Sequence, residues 1–343
     1  MIDPNINRRQ FIAGTAAIGT GLLSLSSCQQ TEPLFTTPAP KPKNAISLAT
    51  WSLNKTYAAG LWELLDIPCI CREDFDIDGI EYVTHFFTDV RDNYLRPLKK
   101  AADDYGVTSV LIMVDREGDM ASIDKNERMQ AALNHRKWVE IAAYLGCHAI
   151  RCNATTALSN PSFKVDPEND PDAADRAAES FNALLDYARQ FNIKILLEPH
   201  GGKPTTDAHW LAGLAQKINN PNFGLLPDFG NFDAATEEDS YQAVRLTMPY
   251  AHGVSVKGGW LPDGTHARYS LEKCLTIARD SGFKGWWGIE SGIRRPGNYY
   301  ADKNPEEIKK DEWQAVKWTK AAIEKVVFQL SISQKPYTKK PSK

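Results

Sequence analysis

One local pattern recurs along most of this chain and limits its fold more than any other. A helical stretch stops at Gly or Asn, and a short β-rich run begins within a few residues. Tyr105-Gly106 precedes 107–114, Leu145-Gly146 precedes 148–152, Phe191-Asn192 precedes 193–197, and Ser281-Gly282 precedes 285–289. Gly and Asn tolerate the left-handed conformation that ends a helix. Strands that alternate with helices pair in parallel, because a crossover must return the chain to the same edge. The spacing places strands near 46–51, 79–84, 107–114, 148–153, 193–198, 223–228, 252–257 and 285–290, with helices most visible at 126–145, 173–190 and 306–329. In 173–190 the apolar Ala177, Phe181, Leu184, Leu185 and Ala188 recur at helical spacing, with Asp175, Arg176, Glu179 and Asp186 opposite. About eight βα units in roughly 300 residues predict an α/β fold of the (β/α)8 TIM-barrel class over 46–330. A doubly wound sheet is the competing arrangement. It calls for a Gly-rich phosphate turn after strand 1, where this chain has Thr50-Trp51-Ser52-Leu53-Asn54.

The segments flanking the barrel read differently. Asn7-Arg8-Arg9-Gln10-Phe11-Ile12 is a twin-arginine start, followed by a small and apolar stretch from Ala13 to Leu25 that is too short for a membrane span. It ends in Leu25-Ser26-Ser27-Cys28, which is similar to a bacterial lipobox. Residues 1–28 are therefore expected to be a twin-arginine lipoprotein signal, with the chain exported to the periplasm and lipid-anchored to a membrane at Cys28. Gln29, rather than Asp, follows Cys28 and gives no inner-membrane retention signal. Residues 29–45, with Pro33, Pro38, Pro40 and Pro42, read as a Pro-rich tether, and 331–343 as a basic C-terminal tail. The five remaining cysteines are odd in number and sit mostly in apolar contexts, which suits buried free thiols in a chain exported folded from a reducing cytosol. The net charge of −3 argues against nucleic acid as a partner. The oligomeric state is not encoded in any pattern here.

Barrels of this kind place chemistry at the C-terminal strand ends. Three acidic residues close short apolar runs there: Glu198 after Ile195-Leu196-Leu197, Asp228 after Leu225-Leu226-Pro227, and Glu290 after Trp286-Trp287-Gly288-Ile289. A carboxylate at a buried strand end is costly to desolvate unless a cation or hydrogen bonds receive it, so three together point to a shared divalent metal. Oxygen ligands favour Mg²⁺ or Mn²⁺, with Co, Ni or Zn as further options. The other strand ends supply Trp51 and Asn54, Glu81 and His85, Asp115 and Glu117, Arg151 and Asn153, His200, Asn231, and Ser255 with Lys257. Lys257 among carboxylates suits a cation that holds a substrate oxygen or stabilises an enediolate. His200 and His85 are candidate acids. Trp51, Arg151, Asn153 and Trp260 are candidate substrate contacts.

Taken in order, Asp78-Gly79-Ile80-Glu81-Tyr82, Leu197-Glu198-Pro199-His200-Gly201-Gly202, Leu226-Pro227-Asp228-Phe229-Gly230-Asn231 and Gly288-Ile289-Glu290 carry a resemblance. The chain resembles the sugar isomerase/epimerase superfamily of xylose-isomerase-like TIM barrels, which includes tagatose-type epimerases, inosose dehydratases and endonuclease-IV-like enzymes. That resemblance implies a metal held by Glu, Asp, His and Glu on strands 5 to 8, with the two glutamates as acid and base on a ketose. Glu198, Asp228 and Glu290 match the first, second and fourth ligands. The third position is Ser255, two residues before Lys257, and a serine hydroxyl is a poor metal ligand. This departure leaves three outcomes: a weaker metal, one completed by His200 or water, or none.

The leading expectation is an exported isomerase or epimerase acting on a keto-sugar through a stabilised enediolate, with Glu198 or Glu290 as base. Hydration or elimination on a 3-keto-glycoside or a dehydrated sugar is the alternative chemistry. A non-catalytic sugar-binding lipoprotein is the alternative class. An endonuclease-like phosphodiesterase fits poorly, since the chain has seven His, Asn231 where that branch carries His, and a net acidic charge.

Overall fold

The computed structural model describes residues 45–154 and 170–328. The leader, tether, Cys28 and basic tail proposed above lie outside the described residues. Eight strands form one parallel sheet: β1 (Ile46–Ala49), β2 (Gly79–Val83), β3 (Thr108–Met113), β4 (Ala149–Cys152), β5 (Lys194–Leu197), β6 (Phe223–Leu225), β7 (Val254–Trp260) and β8 (Trp287–Ile293). Hydrogen-bonded neighbours run β6-β5-β4-β3-β2-β1-β8-β7. Parallel bridges Leu225↔Ala251 and Asp228↔Ser255 join β6 to β7 and close the ring. The expected α/β TIM barrel is the observed fold.

The helix-stop signals do what the sequence asks of them. Gly106, Gly146, Asn192 and Gly282 all adopt positive φ, between 56° and 86°. Outside the barrel lie α1 (Asn54–Ala58), α2 (Ile67–Cys69), α3 (Asp92–Asp104), α4 (Lys125–Leu145), α5 (Ala173–Ala188), α6 (Ala208–Ile218), α7 (Glu237–Thr247), α8 (Leu271–Asp280) and α9 (Pro305–Ile323). The helix expected over 306–329 ends earlier, at Ile323, and continues as the wider turn Glu324–Phe328. The connection between β1 and β2 has no full-length helix and is built of short helical turns. The five described cysteines are free thiols, and all but Cys69 are buried.

Three strands differ from expectation for physical reasons. β6 ends at Leu225 because Pro227 has no N–H to continue the ladder, yet its carbonyl still accepts from the Ser255 N–H at 3.0 Å. β7 and β8 run on as a two-stranded ribbon, paired from Val254↔Trp287 to Trp260↔Ile293. Gly258-Gly259 and Gly292 hide that extension in the sequence, since glycine ordinarily weakens a strand. Gly258 is there for space: a Cβ would lie 2.0 Å from Thr319 Oγ1 on α9.

The turn that carries Trp51, Thr50–Leu53, leads into α1. Buried Glu312 on α9 accepts from the first N–H groups of α1, Lys55 N at 2.9 Å and Thr56 N at 3.0 Å, and from the Thr56 hydroxyl at 2.7 Å. It thereby satisfies donors that a helix start leaves open. Glu312→Ala strands those donors in the interior, so urea unfolding should show a loss on the order of 3 kcal/mol. A loss below about 0.5 kcal/mol, the size of a neutral surface change, would contradict this anchoring role.

Candidate active site

Parallel register brings the acidic strand ends together. Lys257 on β7 is the direct partner of Glu290 on β8, and Ser255 bridges Asp228 across the closing seam. Period-2 alternation then points both Ser255 and Lys257 into the barrel mouth. Oxygens of Glu198, Asp228 and Glu290 lie within 4.8 Å of one another. Above them opens a pocket of about 330 Å³, lined among others by Trp51, Asp115, Arg151, Asn153, His200 and Lys257.

Each carboxylate has named partners. Asp228 is fully buried. Its Oδ1 accepts from Gly230 N at 2.8 Å, and its Oδ2 accepts from Ser255 Oγ at 2.8 Å and lies 3.1 Å from Lys257 Nζ. Lys257 Nζ also donates to Glu290 Oε1. Burial opposes the lysine charge, but Asp228, Glu290 and Glu198 outweigh it and raise the ammonium above its ordinary range. Ser52 fixes the backbone on both sides of Glu290, donating to Ile289 O and accepting from Ser291 N, each at 3.0 Å. Glu198 lies 2.7 Å from Arg151 Nε through Oε2, while Asn231 Nδ2 donates to its Oε1 at 3.3 Å. The Arg151 contact is a charge pairing without hydrogen-bond alignment, since neither Nε nor Oε2 has a hydrogen-bond partner. Burial pushes Glu198 up to about 8, with Arg151 opposing and the Asp228 and Glu290 charges adding. Arg151 also donates to Asp115 at 2.7 Å, as does Asn153 at 3.1 Å. For Asp115 burial raises and Arg151 lowers, and the attraction wins, leaving its carboxyl below the usual range. At the rim, partial burial and then Arg151 hold the exposed His200 below the usual imidazole range.

The structure gathers Glu198, Glu290, Lys257, His200, Trp51, Arg151 and Asn153 around this pocket, with Asp228 and Ser255 in contact beneath it. Two sequence candidates stand elsewhere. Trp260, expected as a substrate contact, faces outward, where Nε1 donates to Thr319 Oγ1 at 2.8 Å and the ring packs on Trp318. Its position has the opposite parity to Ser255 and Lys257, so the same alternation that aims those two inward aims Trp260 at α9. His85, expected as an acid, does not line the pocket; its ring meets the edge of Trp51 at 5.8 Å. Asp115 and Asn231, named from sequence as strand-end residues but given no role, line the pocket, as does Arg116, which was missed. Asp115 and Asn231 carried the signal of a strand-end position; Arg116 carried none, and its backbone takes φ 66°. Glu81, also a strand-end acid, is buried below the mouth, receives Ser47 Oγ at 2.6 Å and leaves Oε2 without a hydrogen-bond partner. Gly288 makes room for it, since a Cβ there would meet Glu81 Oε1 at 2.4 Å.

A family model described as a xylose isomerase-like TIM barrel matches residues 73–317. No curated protein matches the sequence. Among solved structures, D-psicose 3-epimerase in the presence of D-fructose is 15% identical, with TM-score 0.61 over 81% of this chain and 98% of its own. The 3-keto-D-glucoside 4-epimerase YcjR from E. coli is 14% identical, with TM-score 0.57 over 76% of this chain and 94% of its own. The IOLI protein with a binding zinc atom is 16% identical, with TM-score 0.59 over 83% of this chain and 98% of its own. At these identities the structural likeness speaks for the fold.

Burial raises Glu81 from 4.5 to about 7; the Ser47 hydrogen bond opposes it and the Glu290 charge adds. Between those values the folded chain holds a proton that the unfolded chain has lost, so stability falls as pH rises through the window. Wild-type protein should lose more stability between pH 5 and pH 8 than Glu81→Gln, by on the order of 2–3 kcal/mol. Equal losses in urea unfolding at the two pH values would contradict the burial of this carboxyl.

Proposed function

We propose that this chain, which belongs to the xylose isomerase-like TIM-barrel family, is an exported isomerase- or epimerase-like enzyme that moves a proton next to the carbonyl of a keto-sugar. The observation that carries the proposal is a partly buried ammonium, Lys257 Nζ, held between Asp228 and Glu290 in a pocket that Glu198 also lines. A carbonyl oxygen bound at that ammonium has its developing negative charge stabilised as the adjacent C–H bond breaks. Glu290 takes the proton, and the bonding electrons move onto the carbonyl oxygen to give an enediolate. Glu198, whose carboxyl burial raises above the usual range, returns a proton to carbon or oxygen. The two glutamates stand on either side of Asp228 and Lys257 in strand order, which suits exchange between faces. Arg151, Asn153, Asp115 and Trp51 would orient hydroxyls and a ring face, and His200 would relay a proton at the rim.

Glu198, Asp228 and Glu290 bring carboxylate oxygens close enough to be considered as a cation's ligands, but Lys257 already stands on Asp228 and Glu290 and the Arg151 guanidinium faces Glu198 Oε2, so the set as it stands does not fit a divalent cation. By ligand type alone, oxygens such as these favour manganese or magnesium over cobalt, nickel or zinc. Ser255 adds no strong ligand, because its hydroxyl is used on Asp228.

A sugar carrying a ring ketone is the favoured substrate class, in keeping with the neighbouring 3-keto-D-glucoside epimerase. Elimination or hydration on such a 3-keto-glycoside would share the same enediolate and differ only in its fate. Periplasmic location with a Cys28 anchor rests on the leader sequence alone; recovery of a Cys28→Ser chain in the membrane fraction would contradict the anchor. Incubation with 3-keto-glycosides and ketohexoses in deuterium oxide should place deuterium on a carbon next to the carbonyl. Glu290→Gln should slow that exchange by on the order of 10³-fold. Unchanged exchange in Glu290→Gln, or no exchange by wild type on any keto-sugar that it binds, would sink the mechanism.

A further inference from the structure

We propose that Lys257 is the resident cation of this site: its ammonium stands where a divalent metal would be held, and the chain binds such a metal weakly until that ammonium is removed. Three observations converge. First, the Asp228 oxygen that faces the cluster is already taken. Oδ2 accepts from Ser255 Oγ at 2.8 Å and pairs with Lys257 Nζ at 3.1 Å, while Oδ1 is held by Gly230 N. Second, the same ammonium donates to Glu290 Oε1. A divalent ion needs carboxylate oxygens at about 2.0–2.6 Å. It cannot share these two oxygens with an ammonium already on them without bringing like charges together in a buried place. Third, the backbone and the first part of the lysine stem are held in place, which aims the ammonium at the acids. Gly230 leaves the room its stem occupies, since a Cβ there would lie 2.6 Å from Lys257 Cγ. Its carbonyl receives Tyr269 OH at 3.2 Å, and His266 Nε2 lies 3.0 Å from the same oxygen.

Ser255 completes the argument. It projects inward beside Lys257 and spends its hydroxyl on Asp228, so β7 contributes a hydrogen-bond donor and an ammonium to the acid cluster and no ligand nitrogen. Arg151 plays the matching part at Glu198. Each of the three carboxyl groups thus already has a cation of the chain beside it. The ammonium then has two roles, holding the acids together in the resting protein and receiving the carbonyl oxygen of the substrate. The proposal rests on the pocket assigned above, but its test contains no sugar, so its failure is distinguishable from failure of the keto-sugar reading.

The test is a metal-binding measurement on the full chain. Elemental analysis of wild-type protein should find substoichiometric Mn, Mg, Zn, Co and Ni, and EDTA should leave its melting temperature unchanged. Calorimetric titration with Mn²⁺ should show Lys257→Met binding at least roughly tenfold tighter than wild type. Added Mn²⁺ should raise the melting temperature of Lys257→Met well beyond any shift in wild type. Should Lys257→Met not fold without metal, the wild-type measurements decide alone. Stoichiometric metal in purified wild type, an EDTA-induced fall in its melting temperature, or Mn²⁺ affinity in a folded Lys257→Met no greater than wild type would overturn the proposal.

Discussion

Lys257 sits between Asp228 and Glu290 because three adjacent strands place it there. Asp228 follows β6 at the seam that closes the barrel, Lys257 lies two residues beyond the Ser255 that forms the closing bridge, and Glu290 is its registered neighbour on β8. The barrel's closure and its charge balance are therefore one feature. A buried cluster of acids that close would repel, and removing one member of a buried ion pair is far more costly than breaking a surface pair. With the ammonium in place, the strand ends can hold three acids close together in the barrel mouth.

Much of this was legible in the sequence because it follows from short-range rules. The Gly and Asn helix stops mark where strands begin, and their positive φ values are a local steric matter that tertiary packing did not change. Glu198, Asp228 and Glu290 stood out because an acid at the end of an apolar run needs a partner. What could not be read is what depends on distance across the fold. The ribbon of β7 and β8 beyond the barrel rim was hidden by Gly258-Gly259, whose lack of a side chain is explained only by Thr319 on α9, some sixty residues later in the chain. Glu312 gave no signal either, since its partners, the first N–H groups of α1, lie about 250 residues earlier. Trp260 is the instructive case of the other kind. Its outward direction was available from alternation along β7, but aromatic character near a strand end outweighed parity in the choice of substrate contacts.

The pocket also divides its charges by role. Arg151 links Glu198 to Asp115, so a guanidinium that lines the pocket wall is at the same time the structural counter-charge of a candidate acid. Asn153 and Asn231 extend that arrangement to both sides without adding charge. Glu81 lies deeper, in a protonatable state that lets a carboxyl remain in the barrel interior against Ser47. The pattern is consistent with a site tuned by burial, in which some acids keep protons and others are held ionised by fixed cations.

The most direct test of the central claim is a crystal structure of the protein soaked with a keto-sugar under conditions too acidic for turnover. The account predicts the carbonyl oxygen within hydrogen-bond distance of Lys257 Nζ, with the adjacent C–H directed at Glu290 and the opposite face toward Glu198. A sugar bound with its carbonyl directed away from Lys257, or bound outside this pocket, would contradict it.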